Sequence, residues 1–240
     1  MGDVSGWDVL KWIVHVLCVI VRTATNMLAV SVWWGIGLAV YKLFDGGNIF
    51  SAFGDGFVDG FTWSFTTTAG WVVAAAFGVL GLIHGIRMAV GETYWGVGFL
   101  GFILDNTWSL PNSVVGSLFA TVTLGIGIDK SDSKGTGRLV LKNGVFSGYA
   151  TTLGSVTAGT SVPKHEMVHV VQAWLTGPFF YPIFIANYVV NLVPYWWLIK
   201  CIFNAYPNAP IENFGHYFTR GVYPFTIFEA IAYGVEGSPP

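Results

Sequence analysis

Long apolar stretches broken by short polar runs set the first reading of this chain. Residues 7–44 are almost wholly apolar, interrupted by Lys11, Arg22 and Asn26. A hydrocarbon core of about 30 Å takes about 20 helical residues, so a single helix through the whole stretch is too long. The pattern predicts a short or interfacial helix over 7–22 and a spanning helix over 25–43, ended by Lys42 and Asp45. Residues 45–66 carry Gly54-Asp55-Gly56-Phe57 and Asp59-Gly60-Phe61. They read as a loop or re-entrant segment, without the spacing of a calcium loop. Residues 69–90 make the clearest span, with His84 and Arg87 near its end. An apolar run over 95–104 breaks at Asp105-Asn106-Thr107, and a helix of spanning length is expected from Leu110 to about Ile128.

Beyond Ile128 the pattern changes. Asp129, Lys130, Asp132, Lys134, Arg138 and Lys142 form a charge cluster expected to face water. Residues 138–147 read as a β-hairpin, with Asn143-Gly144 supplying two left-handed positions at its turn. Thr151-Thr152-Leu153 and Ser155-Val156-Thr157, split by Gly154, suggest further short strands. A helix is predicted over 163–176, with Ser161 or Val162 as its cap, Pro163 in its first turn and Gly177-Pro178 as its stop. Residues 179–203 are apolar again, as a last span or an interfacial helix. A polar loop over 204–220 holds Glu212, His216 and Arg220; a final helix over 224–234 holds Glu229, and the tail from Glu236 is expected to fray. The fold class is therefore a mainly α membrane protein with three to five hydrophobic helices, a small β-hairpin and one polar-striped helix. It divides into a helical region, 1–128, and a mixed region, 129–240.

Composition strengthens this picture. Only 10% of the 240 residues are charged, against roughly 25% in a soluble domain. The 11 Trp and 10 Tyr suit the headgroup level, and 31 Gly suit close helix packing. A net charge of −2 gives no electrostatic footprint for nucleic acid. Cys18 and Cys201 lie in apolar runs and read as two buried thiols. No small-residue cleavage site follows the first apolar run, so insertion is expected to use an uncleaved helix. His15 and His84 each stand alone on an apolar helix, as hydrogen-bonded structural residues or as opposed ligands to a haem-like group.

The chemistry concentrates in His165-Glu166-Met167-Val168-His169. Two histidines four apart share a helix face and can chelate one Zn²⁺, with Glu166 beside them to take a proton from water. Gln172 continues this stripe, while Val168, Val171, Trp174 and Leu175 make a packing face. A third ligand is needed. Glu212, His216 and Glu229 are candidates, with Glu229 preferred because a helix holds it. Tyr233, one turn on, or His216 can steady an oxyanion.

Hairpin, H-E-x-x-H helix and later glutamate together resemble the gluzincin metallopeptidases. Residues 105–236 also resemble bacterial membrane-associated proteins that join a His-Glu-x-x-His-x-x-Gln helix, here His165–Gln172, to a Gly-Pro-aromatic run, here Gly177-Pro178-Phe179. The resemblance implies zinc on His165, His169 and Glu229, Glu166 as general base, a peptide substrate and a bacterial inner membrane. The acidic signature usual beside the third ligand is missing. The competing expectation is a non-catalytic accessory subunit of a larger membrane complex, contacting lipid and other subunits, with a relic motif.

Overall fold

The computed structural model describes residues 6–145, 149–159, 163–197 and 214–237. Six helices come first: α1 (Gly6–Met27), α2 (Ala29–Asp45), α3 (Ile49–Thr66), α4 (Thr68–Val90), α5 (Val97–Asp105) and α6 (Leu110–Val122). The one-turn α7 (Lys130–Ser133) leads to β1 (Leu139–Leu141), β2 (Thr151–Leu153) and β3 (Val156–Ala158). Then come α8 (Pro163–Thr176), α9 (Phe180–Trp197), α10 (Phe214–Tyr217) and α11 (Ile227–Glu236). The molecule is mainly helical with a small sheet. Thr68–Val90 and the run Pro163–Val193 are long and apolar enough to cross a membrane, and α1 with α2, bent by 43°, make a third if taken as one span.

Residues 49–66 are helical rather than a loop. Their Gly and Asp content signals turns, but Ala52, Gly56, Gly60 and Ser64 recur every fourth residue and are the buried positions of α3. They pack on α2 so closely that a Cβ at Gly60 would stand 2.8 Å from Ser31 Cα. Small residues at this spacing let two backbones meet. Asn48 caps the helix, its side chain accepting from the Phe50 and Ser51 amides.

α6 ends at Val122, short of the expected 128, where Gly125 and Gly127 follow. Arg87 closes that end: its guanidinium donates to the carbonyls of Ala120 and Ile126 and to the Thr123 hydroxyl. Ala120 lies in the last turn of α6, where carbonyls lack helical partners, and Ile126 in the turn that follows.

The hairpin lies elsewhere than predicted. β2 and β3 pair antiparallel around Gly154-Ser155, Leu153 opposite Val156. β1 instead runs parallel to β3, Leu139 opposite Val156, giving the order β1-β3-β2. Parallel partners cannot be joined by a two-residue turn, so the Asn143-Gly144 signal misleads. The sheet is buried: Leu139, Leu141, Val156 and Ala158 share a core with Cys18 and Met88. Arg138, expected in water, is buried too. Cys201, Ser161, Val162 and Glu212 lie outside the described residues.

Many polar side chains are buried beside this apolar core, and many large apolar ones are exposed. Arg22, Asn26, His84, Ser113 and Ser117 are fully buried, while Phe44 is 85% and Leu175 74% exposed. Arg22 Nη2 meets Asp105 Oδ2 at 2.8 Å, and Nη1 lies 2.7 Å from Ser113 Oγ and 3.1 Å from His84 Nδ1. His84 Nδ1 is 2.9 Å from Ser117 Oγ, which also accepts from Asn26. His84 is thus a member of a hydrogen-bonded network linking α1, α4, α5 and α6. The network continues to α8: Trp174 Nε1 donates to Asp105 Oδ1 at 2.8 Å. Ser109 and Asn112 donate to the Ala173 carbonyl, fixing the end of the same helix.

Candidate metal centre

α8 starts and stops where its sequence predicts at Pro163 and Thr176, although one 3-10 turn, Gly177–Phe179, carries it on towards α9. Its polar stripe points inward. His165, Glu166, His169 and Gln172 are buried, as are Val170, Ala173 and Trp174. Val171 and Leu175, expected to pack, face outward instead. This is the reverse of a soluble amphipathic helix, where apolar residues turn to the core.

α11 packs against α8 and brings Glu229 to the two rings. Glu229 Oε2 lies 3.1 Å from His165 Nε2 and 3.4 Å from His169 Nε2. One donor atom from each residue lies within 4.8 Å of the others, and all three residues are buried. Tetrahedral ligands at Zn–N and Zn–O lengths of about 2.05 Å stand about 3.3 Å apart, and the two spacings from Glu229 to the imidazoles match that separation.

Hydrogen bonding supports the fit. Gln172 Nε2 donates to the Phe228 carbonyl at 2.9 Å, which leaves Gln172 Oε1 to accept from His169 Nδ1 at 2.9 Å. With the proton on Nδ1, the Nε2 of a neutral His169 turns a lone pair toward the Glu229 carboxylate. His165 Nδ1 makes no hydrogen bond among the described residues; it lies 3.4 Å from Glu236 Oε2, while Nε2 faces Glu229. Lone pairs facing a carboxylate require a proton or a cation between them. Burial pushes the Glu229 carboxyl up, but the two imidazoles beside it, with help from the Tyr223 hydroxyl, outweigh it and hold the group down at about 2. The centre therefore brings a carboxylate and two imidazole nitrogens together as a donor set that could hold a metal ion.

Around it stand the remaining candidates. The Tyr233 ring meets His165 edge-on, centroids 4.7 Å apart. Glu166 is buried within electrostatic range of His169, Tyr233 and Arg138. Arg138 Nη1 donates to the Pro163 carbonyl at 3.0 Å, tying β1 to the start of α8. His216 lies on α10 and is not a member of the three-donor group. Three contributors escaped the sequence reading. Tyr223 hydrogen-bonds Glu229, Glu236 ends α11 beside His165 rather than fraying, and Arg138 braces α8. The six-residue spacing from Tyr223 to Glu229 carries no periodic signal, and Glu236 is visible only as the seventh residue on from Glu229, two turns along one face.

Comparisons with protein-family models, curated proteins and solved structures find no match for this chain.

Proposed function

We propose that this chain is an integral membrane, zinc-dependent hydrolase of the peptidase type. The observation that carries the reading is the buried meeting of His165, His169 and Glu229, donor atoms within 4.8 Å of one another and Glu229 at 3.1 and 3.4 Å from the two rings. The membrane part rests on the inverted surface, apolar outside and hydrogen-bonded polar groups within. Such polar groups are tolerated at depth only when satisfied internally.

A Zn²⁺ held there supplies Lewis acidity, polarising a scissile carbonyl and acidifying a water. Glu166, buried beside these ligands, would take a proton from water and pass it to the leaving amine. Tyr233 takes the oxyanion-binding role rather than His216, because its ring is seated against His165. Gln172 keeps the His169 imidazole turned with Nε2 inward, as an outer partner of a metal-bound histidine does, and the Glu236 carboxylate lies beside His165. β2 is an outer strand of the sheet and lies against α8. An extended peptide adding to its edge would pass close to the centre. Other membrane subunits are alternative occupants of the apolar surface.

Protein purified in detergent is expected to cleave an apolar peptide, to lose that activity with 1,10-phenanthroline and to regain it with added Zn²⁺. Cleavage that survives the chelator rejects zinc dependence. A zinc-loaded protein that cleaves none of a diverse peptide set favours the accessory-subunit reading.

A further inference from the structure

α1 and α4 run antiparallel. Gly78 packs beside Met27, Gly85 beside Val19, and the Trp7 and Trp95 rings meet at 5.3 Å. The start of α1 and the end of α4 therefore share one end of the molecule. A groove of about 550 Å³ lies along this pair, within the range of small-molecule sites. It is amphiphilic along its length. Asp8, Lys11, His15, Glu92 and Lys130 line the end marked by Trp7 and Trp95, and Val19, Ile20 and Ile86 line the rest. Tryptophans at such a level mark a membrane–water boundary.

Two independent features at the polar end point to a ligand. His15 Nε2 is buried and meets no hydrogen-bond partner. Glu92 is the one non-glycine residue with positive φ among the described residues, at 55°. A glutamate in the left-handed region is strained, and such strain collects where a side chain must be aimed. The Gly135 amide donating to the Glu92 carbonyl holds the backbone there. Its carboxylate also meets Lys134 Nζ at 3.2 Å, an exposed pair that solvent screens.

The charges choose the headgroup. Two carboxylates, Asp8 and Glu92, balance two ammonium groups, Lys11 and Lys130. An anionic headgroup would face both acids and a cationic one both lysines. A zwitterion satisfies all four, and a primary ammonium can also donate hydrogen bonds to carboxylates, which a quaternary one cannot. We propose that the groove binds one phosphatidylethanolamine-type phospholipid from the surrounding bilayer. Its ammonium sits on Asp8 and Glu92, its phosphate on Lys11 and Lys130, and an acyl chain along Val19, Ile20 and Ile86. The inference rests on the membrane reading above but is independent of the metal.

The test is native mass spectrometry of delipidated protein in detergent, titrated with phosphatidylethanolamine, phosphatidylcholine and phosphatidylglycerol of matched chains. The ethanolamine lipid is expected to bind at least about tenfold more tightly than either other lipid, a difference of about 1.4 kcal/mol. The Asp8→Asn/Glu92→Gln variant is expected to hold all three lipids alike, at an unchanged thermal midpoint. Equal binding of the three lipids by the wild type, or no lipid retained, overturns the proposal without recourse to any variant. So does a preference that persists in the variant. Recovery of the protein in a detergent-free soluble fraction would instead sink the membrane reading itself, so the two failures are distinguishable.

Discussion

Replacing Glu166 by Gln is expected to lower peptide hydrolysis by about 10²–10⁴-fold while zinc remains bound, since a positioned acid–base group contributes about that factor. Glutamine keeps the side chain's volume in a buried position but cannot take a proton. The three ligands His165, His169 and Glu229 are untouched by the change. Metal content should therefore be unaltered, and single-turnover hydrolysis separates this loss from any effect on peptide binding. Wild-type turnover by the variant would remove Glu166 from the chemistry.

Removing Asp105 is expected to have the largest effect on stability. Its carboxylate pairs with the fully buried Arg22 and accepts the Trp174 indole N–H. Asp105→Ala leaves a guanidinium without its counter-charge inside an apolar bundle, which costs about 3–5 kcal/mol. It also frees Trp174, whose indole fills the space over Gly101 and Gly137. Thermal unfolding in detergent should show a large drop in midpoint, and α8 should lose zinc more readily. The Arg22→Met/Asp105→Leu double variant is expected to recover much of the loss, because replacing a whole buried pair with packed apolar groups is often neutral. An Asp105→Ala midpoint equal to the wild type would show that the network does not brace the bundle.

Local pattern reveals the centre better than the frame that holds it. His165, His169 and Gln172 announce themselves by spacing within one helix, and Glu229 by its place on the last helix the sequence predicts. These are short-range, periodic signals. The surrounding contacts join residues far apart in the chain: Asp105 to Trp174, Arg22 to Ser113, Arg138 to Pro163. No periodicity encodes them. α3 was hidden for a different reason. Its glycines weaken helix propensity, but here they are the contact surface, and a close fit to α2 overrides the intrinsic preference. β1 misled because its partner β3 lies beyond the adjacent turn, so the Asn-Gly signal at 143–144 marked a bend. The outward turn of Val171 and Leu175 is what the proposed membrane setting predicts: were lipid outside, the polar stripe would be the face that must be buried.

Elemental analysis of the purified chain, beside a His165→Ala/His169→Ala variant with matching circular dichroism, is the most direct check on the metal centre. One zinc per wild-type chain and almost none in the variant is the expected result. Equal zinc in both proteins, or none in wild type purified with zinc present, would show that the two imidazoles and Glu229 do not hold an ion.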